Sequence, residues 1–247
     1  MHRLALVLIS IVMVACASAP ASLSPADRAR LTELAEPVGT HVYDGSVVPM
    51  GADAPAFRYE RWVRGEGESK QSTHATYDAS GALVVVQRAS HDDQYRLRRF
   101  EEVHDQTGAV NTVEVDDDGS LHFTRRRGGQ LETASEGPGA PVVVGPTLFG
   151  FVRRHLDQLV DGEVIEVRFA AADRGKSYAF ELSCANADGS IVRFAPKSAL
   201  VCLAIAPMFI TFEGAGLLRY EGRVPPRLDG DAVDAVVDYT MLTERYR

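Results

Sequence analysis

The sequence predicts a mainly β protein of the α+β class, in which an antiparallel meander surrounds one inserted helix. Two patterns predict it. Short runs that alternate aromatic or β-branched residues with charged ones recur along most of the chain, as they do in strands with one buried face. The interior segment 146–161 instead has its apolar residues at helical spacing. We expect one domain over 25–247, because no linker longer than the 134–141 loop interrupts the pattern.

The first residues of the chain predict export. Residues 1–15 combine a basic residue with a largely apolar run that is too short for a permanent membrane span and typical of a signal peptide. Met13-Val14-Ala15-Cys16 resembles the bacterial lipobox, in which a cysteine after a small residue is acylated and becomes the new N-terminus. The resemblance implies a lipid on Cys16 and a short tether over 16–24. Cleavage after Ala17 without lipidation is the alternative.

A lipid on that cysteine implies a place in the cell. The residue after the cysteine is not an aspartate, which resembles lipoproteins that are sent on to the outer membrane. We therefore expect a protein of the bacterial cell envelope, held in the outer membrane by its N-terminal lipid and facing the periplasm.

The N-terminal part of the mature chain predicts a short helix. Ser24 can cap it, Pro25 suits its first position, and Pro37 would end it. From about Val42 the period of the sequence changes to that of strands.

Four turns of one kind separate the strand-like runs. Each has Asp or Asn followed three residues later by Gly, a pattern that closes a hairpin because glycine accepts the left-handed conformation. They are 78–81, 105–108, 116–119 and 186–189. Strands are expected between and beyond these turns, at 83–88, 94–103, 110–115, 121–126, 130–133, 142–144, 164–171, 177–184, 190–194, 209–212, 216–223 and 232–243.

The central helix is expected over 146–161, with Pro146 in its first turn and Gly162 just after its end. One side is apolar, and a helix of this kind buries that side. The residues expected to line an apolar cavity, or else to fill the core, are Leu148, Val152, Leu156 and Leu159.

Two later segments are harder to assign. Residues 198–205 are apolar on every side, so they predict either a fully buried strand or a short buried helix. The pair Pro225-Pro226 predicts a break between the last two strands.

With Cys16 assigned to the lipid, Cys184 and Cys202 remain. An even pair in an oxidising compartment predicts a disulfide. Two buried free thiols are the alternative, because both cysteines lie in apolar sequence. No histidine stands at a useful spacing for a metal site, so no metal is expected.

The order of elements resembles the LolA/LolB superfamily and related uncharacterised envelope families. The resemblance rests on an exported lipoprotein with an N-terminal helix, many tight hairpins and a helix inserted midway, and on segment 212–222 with a final strand ending near Tyr239. It implies a strongly curved sheet that forms an incomplete barrel around the helix. LolB-like proteins are themselves lipoproteins and receive acylated cargo in an apolar cavity, so the resemblance also implies a lipid or lipoprotein ligand.

The chain carries no catalytic signature. It has no nucleophile elbow, phosphate loop, dinucleotide fingerprint or zinc-protease helix, so we expect a non-enzymatic protein without a cofactor. A net charge of −8 argues against a nucleic-acid partner, and Arg125-Arg126-Arg127 suits a solvated hairpin end. His91 and His104 stand beside carboxylates, which suits an envelope hydrolase, but their positions favour solvated loops.

Three hypotheses follow for function. The first is a lipoprotein that binds an apolar or acylated ligand in the concavity of its sheet. The second is a structural or interaction module of an envelope complex with a filled core, whose protein partner the sequence does not identify. The third is the hydrolase.

Overall fold

A computed structural model describes residues 22–67, 69–214 and 216–243. The expectations for the signal peptide, the lipid on Cys16 and most of the tether fall on residues outside these ranges. Within them the chain forms fifteen strands and four short α-helices.

The strands follow one another in chain order with only a few helical interruptions. They are β1 Thr40–Pro49, β2 Phe57–Arg64, β3 Lys70–Asp78, β4 Leu83–His91, β5 Leu97–His104, β6 Ala109–Val115, β7 Leu121–Arg127, β8 Gln130–Glu136, β9 Val142–Val143, β10 Ile165–Ala171, β11 Lys176–Cys184, β12 Ile191–Pro196, β13 Met208–Glu213, β14 Gly216–Leu228 and β15 Asp231–Met241. The helices are α1 Pro25–Ala35, α2 Gly145–Arg154, α3 Leu156–Val160 and α4 Ala199–Cys202.

All fifteen strands belong to one sheet. The first and last strands, β1 and β15, pair at its centre. One meander runs outward from β1 to β8, and a second runs from β15 back to β9. Every pairing is antiparallel except that of β9 with β10, which is parallel. The mainly β class and the meander are therefore confirmed, with one parallel pair added.

The sheet curves until its two edges approach each other, but they do not pair as strands. Side chains bridge the gap. Glu136 of β8 accepts hydrogen bonds from the backbone N–H (2.7 Å) and the hydroxyl of Ser177 on β11. The guanidinium of Arg168 on β10 donates to the carbonyls of Gly119 (2.7 Å) and Gly137 (2.8 Å). The sheet is thus an incomplete barrel, as the family resemblance implies.

Helix α1 covers the convex face of the first meander. Ser24 caps it by accepting a hydrogen bond from the N–H of Asp27 at 3.1 Å, as expected. Leu31 and Leu34 are buried in a cluster with apolar residues of β4 and β5. Arg30 donates two hydrogen bonds, at 2.8 and 2.7 Å, to the carboxylate of Glu101 on β5. The strands under α1 therefore have both faces covered.

The inserted helix is interrupted. The sequence predicts one helix over 146–161, whereas the structure has α2 and α3 separated at His155, whose backbone (φ −108°, ψ 12°) leaves the helical region. The His155 ring is within hydrogen-bonding distance of the Phe151 carbonyl (2.8 Å), which also accepts a hydrogen bond from the backbone N–H of His155 at 3.3 Å. The apolar side still faces the sheet, with Leu148, Phe151 and Val152 buried.

Close packing fixes α2 against the first meander. The ring of Tyr95, which follows β4 and has a left-handed backbone (φ 59°), lies where a Cβ on Gly150 would stand, only 2.0 Å from that position. Glycine is therefore required at this point of the helix. The same tyrosine ring stacks on His91 at 4.9 Å between ring centroids. Tyr95 thus links α2 to the interior of the sheet.

Two later segments differ from expectation. Residues 199–202 form the short helix α4, which settles the choice between strand and helix, but it is not buried, since Leu200 and Leu203 are 79% and 85% exposed. The predicted break at Pro225-Pro226 is wrong: β14 continues through both prolines. The register shifts between Val224 and Arg227, so the two prolines, which have no backbone N–H, are not required to donate hydrogen bonds to β15.

The four predicted hairpin turns are present. In the first, the side chain of Asp78 accepts hydrogen bonds from the N–H groups of Ser80 and Ala82, both at 2.9 Å, and Gly81 adopts φ +85°. The other three join β5 to β6, β6 to β7 and β11 to β12.

Candidate functional site

A cavity of about 1300 Å³ lies on the concave face of the sheet. Its walls come from both meanders, from the start of α2 and from the segment after α4. Both meanders contribute polar and apolar side chains to the walls, so the cavity is amphipathic.

The apolar part of the wall is built by the second meander and α2. Phe180 on β11 and Phe194 on β12 stack with ring centroids 4.4 Å apart, and Phe169 on β10 lies 5.9 Å from each of them. Leu148 and Phe149 of α2 complete this wall. Phenylalanine side chains on neighbouring strands pack in this way because alternate residues of a strand face the same side.

The polar part of the wall is a row of directly paired residues that crosses the first meander. Each member is the register partner of the next, from β1 to β8, so all of them share the concave face. The row is Tyr43, Arg61, His74, Gln87, Glu102, Asn111, Arg125 and Glu132. We call these eight residues the polar row. Its members from His74 to Glu132 line the cavity.

Glu102 stands in the middle of the polar row. Its carboxylate accepts hydrogen bonds from the side-chain amides of Gln87 (2.7 Å) and Asn111 (3.0 Å). The residue is only 8% exposed. In the part of the chain that the structure describes, no ion pair joins this carboxylate to a cation.

His104 lies two residues from Glu102 on the same face of β5 and is buried. Its Nε2 lies 3.1 Å from the carbonyl of Pro225, so this nitrogen carries the proton and donates. Nδ1 is buried without a hydrogen-bond partner. Burial lowers the pKa of His104, which keeps the ring neutral near pH 7.

A second polar group lies at the other end of the polar row, beneath the cavity. The hydroxyl of Tyr43 and Nε2 of His74 are 2.8 Å apart, and Arg61 contacts both Nε2 of His74 (3.4 Å) and the hydroxyl of Ser72 (3.1 Å). Ser72 in turn lies 2.9 Å from Nε2 of His91. Burial, followed by the charge of Arg61, holds the pKa of His74 well below its usual value. Burial lowers the pKa of His91 to about 4.

The structure corrects the expectation for two histidines. His91 and His104 are 1% and 5% exposed, not solvated. Both lie at strand ends beside carboxylates, as the sequence indicates. The strand ends, however, are covered by α2 and by β14, which approach from distant parts of the chain.

The predicted lining residues separate into two groups. Leu148 lies on the cavity wall. Val152 and Leu159 are fully buried in the main core, and Leu156 is partly buried against it. These three residues pack in or against the core and do not border the cavity.

The two remaining cysteines are free thiols in the structure, so the predicted disulfide is absent. Cys184 pairs with Val192 at one end of β12, whereas Cys202 follows the other end and donates a hydrogen bond to the carbonyl of Pro196 at 3.3 Å. Four residues of strand separate these ends by about 13 Å. That separation exceeds the Cα distance of about 7 Å that a disulfide tolerates. Cys202 is exposed and Cys184 half-buried, so the alternative of two buried thiols is also only partly met.

Neither a metal site nor a membrane-spanning helix is present among the described residues. No group of three or more metal-ligating side chains is arranged to hold a metal ion. No helix in this part of the chain is long and apolar enough to cross a membrane.

The polar row escapes sequence reasoning. Alternation of polar and apolar residues in a strand predicts that the polar face is exposed to solvent, but here the polar face lies inside the incomplete barrel. One signal was available: Val84-Val85-Val86 puts apolar side chains on both faces of β4, which indicates a strand covered on both sides.

Comparison with known proteins gives only likenesses of fold. No family model matches the chain, and no curated protein matches it. One similar solved structure is a DUF1089 family protein from Pseudomonas aeruginosa, with 19% identity over 68% of this chain and 91% of that chain and a TM-score of 0.39. Another is a beta-barrel-like protein of the domain of unknown function DUF1849 from Brucella abortus, with 9% identity over 82% of this chain and 94% of that chain and a TM-score of 0.42. Neither is described as a LolA/LolB protein, so that resemblance stays a prediction, and nothing about function is taken from either structure.

Proposed function

We propose that this protein is an exported, non-enzymatic lipoprotein that binds an apolar or acylated ligand in its cavity. The observation that carries the proposal is the aromatic wall formed by Phe169, Phe180 and Phe194 beside a space of about 1300 Å³. Apolar side chains gain about 0.8 kcal/mol for each methylene group that a ligand buries against them. A space of this volume has room for an acyl chain.

The cavity also argues against the two alternative functions, a structural module with a filled core and a hydrolase. A structural module with a filled core would bring α2 and the second meander into contact throughout, and the open volume beside Phe149 and Phe194 favours a ligand instead. For the hydrolase, Ser72 and His91 are within hydrogen-bonding distance, but both are completely buried and neither borders the cavity. We therefore favour binding over catalysis.

Ligand uptake tests the proposal. The full chain carrying Cys16→Ala, which removes the acylated residue, is exported to a periplasm, purified without detergent and titrated with a fluorescent acyl probe. We expect one probe per chain. Phe169→Asp, on the cavity wall, should weaken binding about tenfold or more, because it places a charge against the acyl chain.

Leu218→Asp is the matched control, since it makes the same kind of change at a residue that is 44% exposed. It should bind the probe like the parent chain. Absence of uptake by a parent chain with normal circular dichroism would contradict the proposal.

We also propose that Cys16 carries the lipid that holds the protein in the outer membrane. Metabolic labelling with a palmitate analogue should mark the parent chain and not Cys16→Ala. An unlabelled parent chain that is still processed and exported would instead support simple secretion.

A further inference from the structure

We propose that the ligand carries a primary ammonium group, and that Glu102 binds this group in the interior of the cavity. The inference rests on the proposed function, because it concerns the polar end of the same amphipathic ligand. It adds a chemical class to that ligand: a long-chain amine, or an acylated molecule with a free amino group.

Glu102 is a buried acidic side chain without a cationic partner among the described residues. A carboxylate that is this deeply buried is normally paired with a cation or a metal, because the loss of water is otherwise uncompensated. Glu102 has only two neutral amide donors, Gln87 and Asn111. Each carboxylate oxygen keeps further capacity to accept a hydrogen bond.

Six cationic side chains line the cavity, but in the described part of the chain none of them pairs with Glu102. His104 is neutral, with its proton on Nε2 and an unpartnered acceptor at Nδ1. The side chain of Arg125 forms an ion pair with Glu132 at 3.0 Å, and that of Arg223 pairs with Asp234 at 2.6 Å. The other cationic side chains that line the cavity form no ion pair with Glu102 among the described residues; they are Arg127, Arg174, Lys176 and Arg227.

The hydrogen-bond acceptors at this position match the donors of an ammonium group. An ammonium group offers three donors and no acceptor, whereas the Glu102 carboxylate and Nδ1 of His104 are acceptors only. A carboxylate, phosphate or sulfate group would meet like charge or unpaired acceptors at this position. The aromatic wall on the opposite meander can then hold the apolar end of the same molecule.

The test compares three probes of equal chain length, namely dodecylammonium, dodecanol and dodecanoate, below their micelle concentrations. The protein is the full chain carrying Cys16→Ala, with and without Glu102→Gln. Glutamine keeps the shape of the side chain and removes its charge. Glu114→Gln is the control, because Glu114 lies on the outer face of β6, is about half exposed and pairs with Arg99.

We expect dodecylammonium to bind about tenfold tighter than dodecanol, the scale of a charge-assisted hydrogen bond. Glu102→Gln should remove this preference and leave dodecanol binding unchanged, and Glu114→Gln should change neither. Equal binding of dodecylammonium and dodecanol by the parent chain would overturn the ammonium site while the proposed function stands, even if Glu102→Gln does not fold. Failure of all three probes to bind would overturn the proposed function itself.

Discussion

The two meanders of the sheet share one backbone pattern and both bury apolar side chains, but polar and charged side chains are buried almost entirely in the first. Among the described residues, every fully buried polar or charged side chain except Thr147 lies between Arg61 and Asn111, on β2 to β6 or the turn between β4 and β5. In the described part of β9 to β15, the fully buried side chains are all apolar. We call β1 to β8 the polar meander, because it buries polar side chains as well as apolar ones, and β9 to β15 the apolar meander.

This division separates two physical tasks. Apolar burial is non-directional and stabilises the fold in proportion to the area removed from water. Buried hydrogen bonds contribute little net stability, but they accept only partners of matching geometry and charge. We infer that the apolar side chains of both meanders provide most of the stability, while the buried polar groups of the polar meander provide the selectivity of the cavity.

The largest effect should come from the apolar meander. Phe194→Ala removes a side chain with no exposed area from the stack with Phe180. We expect a loss of about 3–5 kcal/mol in the free energy of unfolding, the usual cost of this change in a packed core. Urea unfolding followed by circular dichroism measures it, with Leu218→Ala on the outer face as the control. A loss of less than about 1 kcal/mol would show that this wall is not packed and would remove the proposed division of tasks.

A smaller effect should arise from acid in the polar meander. The pKa of His91 is lowered from 6.5 to about 4 in the folded chain, so between these values the unfolded chain binds more protons. Stability is therefore fully present above pH 6.5 and is lost as the pH falls towards 4. From about pH 7 to about pH 5 this amounts to about 2 kcal/mol, and His74 changes in the same direction.

Urea unfolding at both pH values checks this expectation. His91→Gln should reduce the dependence on pH, because it removes the buried imidazole. Equal pH dependence in the parent chain and His91→Gln would show that the acid sensitivity arises elsewhere.

The predictable features are those that depend on local sequence. The capped helix α1, the four hairpin turns and the strand-rich meander all follow from turn residues and alternation, which act over a few neighbouring positions. The polar row does not, because its members, from Tyr43 to Glu132, lie on eight strands and meet only through register. Its position inside the barrel depends on the curvature of the sheet and on α1, which covers the outer face. The sequence of a single strand predicts neither feature.

The incorrect predictions for the central helix and for residues 198–205 have the same cause: burial depends on contacts with distant parts of the chain. The period of the sequence predicts one continuous helix, whereas the structure interrupts it at His155, and of the predicted lining residues only Leu148 borders the cavity. Residues 198–205 are apolar and yet Leu200 is exposed, because α4 lies beyond the end of β12, outside the packed layers. Hydrophobicity predicts that a side chain tends to be buried, but the position of its element decides whether it is.

The smallest effect should come from the charge beneath the polar row. Arg61 is 4% exposed, and its contacts in the described part of the chain are neutral: Ser72, His74 and the ring of Tyr43, 5.6 Å from the guanidinium carbon. A buried charge without an acidic partner loses more by desolvation than neutral hydrogen bonds return. Arg61→Met keeps most of the volume and removes the charge. We therefore expect it to change the free energy of unfolding by less than about 1 kcal/mol, or to increase it.

Arg61→Met also tests how the buried polar groups affect one another. Removing the charge of Arg61 should raise the pKa of His74, whose depression depends on burial first and on that charge second. Two-dimensional NMR of the histidine ring protons measures this shift, and Arg64→Met, at an exposed arginine of the same strand, is the control. If Arg61→Met instead costs as much as Phe194→Ala, the buried polar groups stabilise the fold as strongly as the apolar ones. Selectivity and stability would then not be separate tasks of the polar and the apolar side chains.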